Sequence, residues 1–195
     1  MEIIYPPFIA PVYPRPNVDR PSEELPRGAE MLPLVQENGM VTGRMTRGYA
    51  HGGEKPLHPV VHLHLVNRRG AIYLQKRAMT KDLLPGYWDT AVGGHVSYGE
   101  QISEALFREA SEELGLEEFN PVGICSYVFE SQVEKELVHV FAAIGELQPR
   151  PDGEEVSEGR WWTPAEIEEA MGRSVLTPNF ESEYARIHSQ LEALL

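Results

Sequence analysis

Within residues 94–116, GHVSYGEQISEALFREASEELGL, apolar Ile102, Leu106, Ala110 and Leu114 recur every four positions, while Glu109, Glu112 and Glu113 stand at i, i+3 and i+4. The first series predicts an amphipathic helix that stops at Gly115, and the second puts three carboxylates on one face of it. Like charges so spaced destabilise a helix by about 0.2–0.5 kcal/mol per pair. Glu109 and Glu113 also border the apolar stripe, where partial desolvation adds to the cost. A divalent cation relieves both. Carboxylate oxygens suit Mg2+ or Mn2+, which use one or two carboxylates together with substrate phosphate oxygens. Taken by itself the spacing is equally that of a solvated acidic face.

Elements on either side indicate what carries this helix. PVVHLHLVNRRGAIYLQKR, from Pro59, reads as a hairpin around Asn67-Arg68-Arg69-Gly70, and a shorter one is expected around Glu37-Asn38-Gly39. The stretch AMTKDLLPGYWDT and the glycine-bearing AVGGHVSYGE read as loop. Strand-like segments follow at NPVGICSYVFE, ELVHVFAAIGEL and VSEGRWW. Thr163-Pro164-Ala165-Glu166 is a capping box with proline at the first helical position, ended by Gly172, and a terminal helix is expected from Phe180 to Leu195. Hairpins interleaved with a few helices predict a mixed α/β or α+β sandwich, its helices covering a mixed or antiparallel sheet. At 195 residues the chain holds one domain with an appendage. Residues 1–28 form a proline-rich arm, with seven prolines in the first 26 positions, and residues 29–195 form the domain including the C-terminal helix. A tail, a strap on the domain and a homodimer contact are all open for the arm.

Charge limits the partners. Seventeen basic against 30 acidic residues give −13, so the average surface repels nucleic acid and anionic membranes, and an anionic ligand must be held by local cations. The single cysteine, Cys125, makes no internal disulfide, and the opening MEIIYPPFIAPVYP has neither a basic start nor a long apolar stretch, so the expected location is cytoplasmic.

The spacing around the carboxylate helix is more specific than the helix itself. Gly94, five residues, Glu100, seven residues, Arg108-Glu109, then Glu112-Glu113 and Gly115-Leu116 resembles the complete box of the Nudix family, with Ala110 small where a larger aliphatic is usual. The resemblance implies an α/β/α sandwich with a mixed sheet, in which this loop-helix-loop holds a metal-bound diphosphate. It makes Glu109, Glu112 and Glu113 the metal ligands, Gly94 part of the substrate-binding loop, Arg108 an orienting salt-bridge partner and Glu100 an auxiliary carboxylate. The general base is Glu113, Glu100 or a glutamate outside the box.

A second set of residues resembles one branch of that family, the type I isopentenyl diphosphate isomerases. His51 and His58 lie seven apart before the first central strand, His95 follows Gly94, and Glu134-Lys135-Glu136 precedes LVHVFAA. By resemblance His51, His58, His95, Glu134 and Glu136 hold a second divalent ion, for which Zn2+, Mn2+ or Mg2+ are suitable. Arg47, Arg77 and Lys81 correspond to diphosphate contacts, and Trp161 to the tryptophan that faces the reactive carbocation, though a core aromatic is its other reading. His62, His64, His139 and His188 carry packing or surface roles, Tyr127 has no assigned role because the loop after it is short, and Asp152–Glu158 reads as a solvated acidic turn.

Two departures separate the chain from the isomerases. Their acid/base cysteine belongs immediately before Gly94, where this chain has Gly93; and they commonly lose the glutamate of Arg-Glu, which this chain keeps as Glu109. The expectation is a divalent-metal-dependent hydrolase of a nucleoside diphosphate linked to a group X, or of a related organic diphosphate. An isomerase-like enzyme with a replaced cysteine, and a non-catalytic diphosphate sensor, are the alternatives.

Overall fold

The computed structural model describes residues 29–195 apart from Asp82, so the proline-rich arm lies outside the described residues. A hairpin of β1 (Met31–Val35) and β2 (Val41–Thr46) forms a two-stranded sheet of its own and runs into the one-turn helix α1 (Arg47–Ala50). The main sheet is built on β3 (His58–Val66), buried along all nine residues. It pairs in parallel with β8 (Lys135–Ile144), from His58 beside Glu136 to Val66 beside Ile144. Burial on both faces explains why β3 reads as a near-continuous apolar run.

On its other edge β3 pairs antiparallel first with β6 (Val92–His95) and then with β4 (Ile72–Arg77). β4 carries β5 (Trp88–Thr90) and β9 (Val156–Trp162), and β7 (Val122–Glu130) closes the edge beside β8. The mixed sheet agrees with the sequence, but β5 and β6 replace the loop expected there. Two glycines in four residues give β6 little strand propensity; its backbone groups are instead paired by β3.

Helices cover both faces. α2 (Ile102–Leu114) packs over Val61, Leu63 and Leu65; α3 (Pro164–Ala170) and α4 (Pro178–Glu192) pack over Val60, Val66, Val138 and Val140. α2 ends as expected: Gly115 is left-handed at φ 60°, with Leu116 N–H donating to Ala110 O. The capping box of α3 is formed by Thr163 and Glu166, while α4 starts two residues before the expected Phe180 because Thr177 caps it ahead of Pro178. None of the helices among the described residues is long and apolar enough to cross a membrane.

Candidate active site

Strand alternation sorts the chemical groups onto the two faces of the sheet. Gly94 turns toward α2, and a Cβ there would sit 2.0 Å from the Glu109 carboxyl carbon. Glycine at this position lets the carboxylate lie against the strand, and a side chain there would push it aside. Glu113 is 5% exposed and accepts hydrogen bonds from the Gln75 amide at 3.0 Å and the Gly93 N–H at 3.3 Å. Burial, followed by the charge of Glu109, pushes its carboxyl up to about 8; burial also raises Glu109. Glu112 is the exposed member.

Arg108 ties this helix to the loop before it. Its Nε and Nη2 donate to the two oxygens of Glu100 at 2.8 and 3.0 Å, Nη1 reaches Glu109 at 2.7 Å and Glu112 at 3.0 Å, and Nη2 also donates to the His95 carbonyl at 2.9 Å. One guanidinium thus serves three carboxylates and a carbonyl, while Glu113 receives only neutral donors.

His51, His58 and His95 meet on the side away from α2, each offering a ring nitrogen within 4.8 Å of the others. The three come from α1's C-cap, the first residue of β3 and the last of β6. His58 is fully buried; its Nδ1 bonds to Pro56 O at 2.9 Å, which makes Nδ1 the protonated nitrogen and leaves Nε2 as a lone pair with no partner among the described residues. His51 Nε2 faces His95 Nε2 at 3.1 Å. Two imidazole nitrogens on one ion, at the usual metal–nitrogen length, stand roughly 3.0–3.4 Å apart. Burial lowers the affinity of His58 and His95 for protons, keeping them in the form that ligates. The donor set therefore fits a divalent ion. Glu134 holds His51 Nδ1 at 2.9 Å, and Glu136, raised to about 7 by burial and then by Glu134, lies in register beside His58.

Of the expected cations, Arg47 pairs with Glu30, and Lys81 pairs with Glu155 while its charge also acts on both Glu113 and His95. Arg77 is committed elsewhere, to Asp89 at 3.3 Å and the Leu83 carbonyl at 3.1 Å, so it fastens the loop that carries Lys81. Trp161 corrects its expected role. It pairs in register with Tyr73, packs edge-on against that ring and joins the α2-side core, on the opposite face from the histidines. The sheet's alternation decides this, since Trp161 and Trp162 must point to opposite sides.

Three features escaped the sequence. The acidic turn is docked on α2, with Asp152 N–H donating to Glu113 O, and Glu155 adds its charge to Glu109 and Glu113. Gly93 faces His62 across the β6–β3 ladder. Fully buried Glu183 of α4 accepts from His62 Nδ1 at 2.8 Å, His64 Nε2 at 2.6 Å and Tyr127 OH at 2.6 Å. No local pattern could have joined residues more than a hundred positions apart; two histidines alternating on one strand were the only signal. Cys125 remains a protonated thiol, raised to about 11 by burial and then by Glu183.

The NUDIX domain model matches residues 56–180. Isopentenyl-diphosphate Delta-isomerase of Streptomyces griseus subsp. griseus is 35% identical over 75% of this chain and 77% of that protein. Isopentenyl-diphosphate Delta-isomerase 1 of Photorhabdus laumondii subsp. laumondii is 32% identical over 81% and 94%. Among solved structures, DR0079 from Deinococcus radiodurans superimposes with a TM-score of 0.70 at 26% identity, covering 80% of this chain and 98% of that one. The MutT protein from Methanosarcina mazei Go1 gives 0.60 at 25% identity, covering 70% and 96%. With its carboxylate helix, its three-histidine cluster and these relatives, the chain belongs to the Nudix family, in a branch similar to the isopentenyl-diphosphate isomerases.

Proposed function

We propose that this protein is a divalent-metal-dependent hydrolase that cleaves the diphosphate linkage of a nucleoside diphosphate-X or a related small organic diphosphate. The observation that carries the reading is the complete carboxylate set around a buried Glu113, beside a Gly93 that has no acid or base to offer. Glu109, Glu112 and Glu113 would hold Mg2+ or Mn2+, which when bound neutralises diphosphate charge and acidifies an attacking water. Arg108 and Glu100 hold the helix and the preceding loop in one geometry, and Lys81 and Arg47 offer charge to the phosphates. Glu113, Glu100 and Glu155 are the carboxylates from which the base is drawn. Product analysis by mass spectrometry tests the reading. Metal-loaded parent and Glu113→Gln protein are incubated with nucleoside diphosphate sugars, dinucleotide cofactors, nucleoside triphosphates and isoprenoid diphosphates. Cleavage of one class by the parent alone is expected; no cleavage of any class refutes hydrolysis.

A second reading, an isomerase-like enzyme, is favoured by the three-histidine cluster and the names of the curated relatives. It requires a proton donor other than the missing cysteine. Solvent deuterium entering isopentenyl diphosphate in the presence of metal-loaded protein would support it, and failure to exchange removes it.

A further inference from the structure

Gly93, like His95, meets both faces of the site. Its N–H is bound to Glu113, and the direction a side chain would take leads to the His62 ring, with a Cβ placed there 3.5 Å from Cδ2 and 3.6 Å from Nε2. Strand alternation puts Gly93 on the same face as His95, two residues and about 7 Å farther along. The missing side chain therefore leaves a patch bounded by the histidine cluster at one end and His62 at the other.

His62 is held firmly. Glu183 takes its Nδ1 at 2.8 Å, and Glu183 is in turn occupied by His64 and Tyr127. A carboxylate accepts only, so Nδ1 carries a proton and Nε2 is the nitrogen left to face Gly93. Among the described residues Nε2 has no hydrogen-bond partner, although His62 is only 8% exposed. Covering it with a hydrocarbon would leave that polar group unpaired at a cost of about 1–3 kcal/mol. A hydroxyl satisfies it in either protonation state, and a phosphate oxygen satisfies it when the ring is charged.

We propose that the patch over Gly93 is the subsite for the group X, and that it takes an X bearing hydroxyl or phosphate oxygens, with His62 Nε2 as its hydrogen-bond partner and Glu183 as the positioning residue. The substrate class is then a diphosphate of a sugar or nucleoside, and prenyl diphosphates are disfavoured. This rests on the hydrolase reading.

Gly93→Ala is a clean probe, because its methyl group meets His62 at ordinary van der Waals distance and fills the patch without forcing the fold. His62→Phe is the second. Turnover of UDP-glucose, ADP-ribose and isopentenyl diphosphate is measured with Mg2+, using inorganic diphosphate, which lacks X, as competitor. The expected result is turnover of a sugar-bearing substrate, a KM raised roughly tenfold or more in either variant, and unchanged inhibition by inorganic diphosphate. Preference for isopentenyl diphosphate, a KM for the sugar-bearing substrates within about twofold of parent in Gly93→Ala, or equal loss of diphosphate inhibition would overturn the subsite. Absence of all turnover refutes hydrolysis instead. Thermal stabilisation by UDP-glucose over that by inorganic diphosphate then decides, its loss in Gly93→Ala supporting the subsite and its persistence or absence overturning it.

Discussion

Glu113 and Glu183 are buried glutamates on helices that flank opposite faces of one sheet, and their proton affinities move in opposite directions. Glu113 is raised to about 8 because burial and Glu109 oppose its charge and its partners are neutral. Burial pushes Glu183 the same way, but His62 and His64, both within hydrogen-bond reach, outweigh it and hold the carboxyl well below the usual range. Depth alone therefore does not tell a ligand from a structural group. What distinguishes them is whether the fold already supplies the countercharge: the face that withholds it is the one suited to an added cation.

The sharpest way to break this comparison is to neutralise each carboxylate. Glu183→Ala strands two histidines and should cost about 3–5 kcal/mol in urea unfolding. Glu113→Gln resembles the protonated acid, so it should leave the unfolding midpoint near that of the parent while lowering metal-dependent turnover at least about 100-fold. Equal destabilisation by both would erase the distinction. Gly94→Ala comes next. Its methyl group must displace the Glu109 carboxyl, the far end of a flexible side chain, so roughly 10–100-fold weaker Mg2+ binding is expected by isothermal titration, with an unfolding midpoint near that of the parent.

The smallest effect is in pH dependence, and it takes opposite signs on the two faces. His62 is raised from near 6.5 to about 9: burial opposes its charge, and Glu183 more than compensates. Its contribution to stability is complete below pH 6.5 and lost as the pH climbs through 9, so the melting temperature should fall across that interval and fall less in His62→Phe. Glu113 must shed its proton to take a cation, so Mg2+ affinity should rise with pH until about 8. Parallel slopes for stability and affinity would contradict the assignment.

Most of the α2 face was legible in the sequence because its signals are local. The repeat from Ile102 to Leu114, the carboxylates three and four apart, and Gly115 as a stop all lie within one helix and its cap. The opposite face was legible only in part. His51, His58 and His95 were found by resemblance, whereas the Glu183–His62 contact spans 121 positions and depends on where α4 lands. The sequence left two readings open for Trp161 because its face depends on the register of β9 with β4, which no short motif specifies. The strands β5 and β6 were missed since their pairing comes from tertiary neighbours and not from the residues they contain.

The origin of the histidines bears on more than ligation. His51 follows a hairpin that has its own small sheet, His58 and His95 belong to the main sheet, and Glu134 lies in the turn before β8. An ion shared by the three histidines would staple chain segments from residue 51 to residue 95, with Glu134 joined to them through His51 Nδ1, removing closure entropy from the unfolded ensemble much as a cross-link does. Such a staple would anchor the hairpin that runs into α1 and Arg47. Loss of the ion would then loosen the charge-bearing rim first and leave the carboxylate helix standing, so one metal site would govern how long the other keeps its ligand.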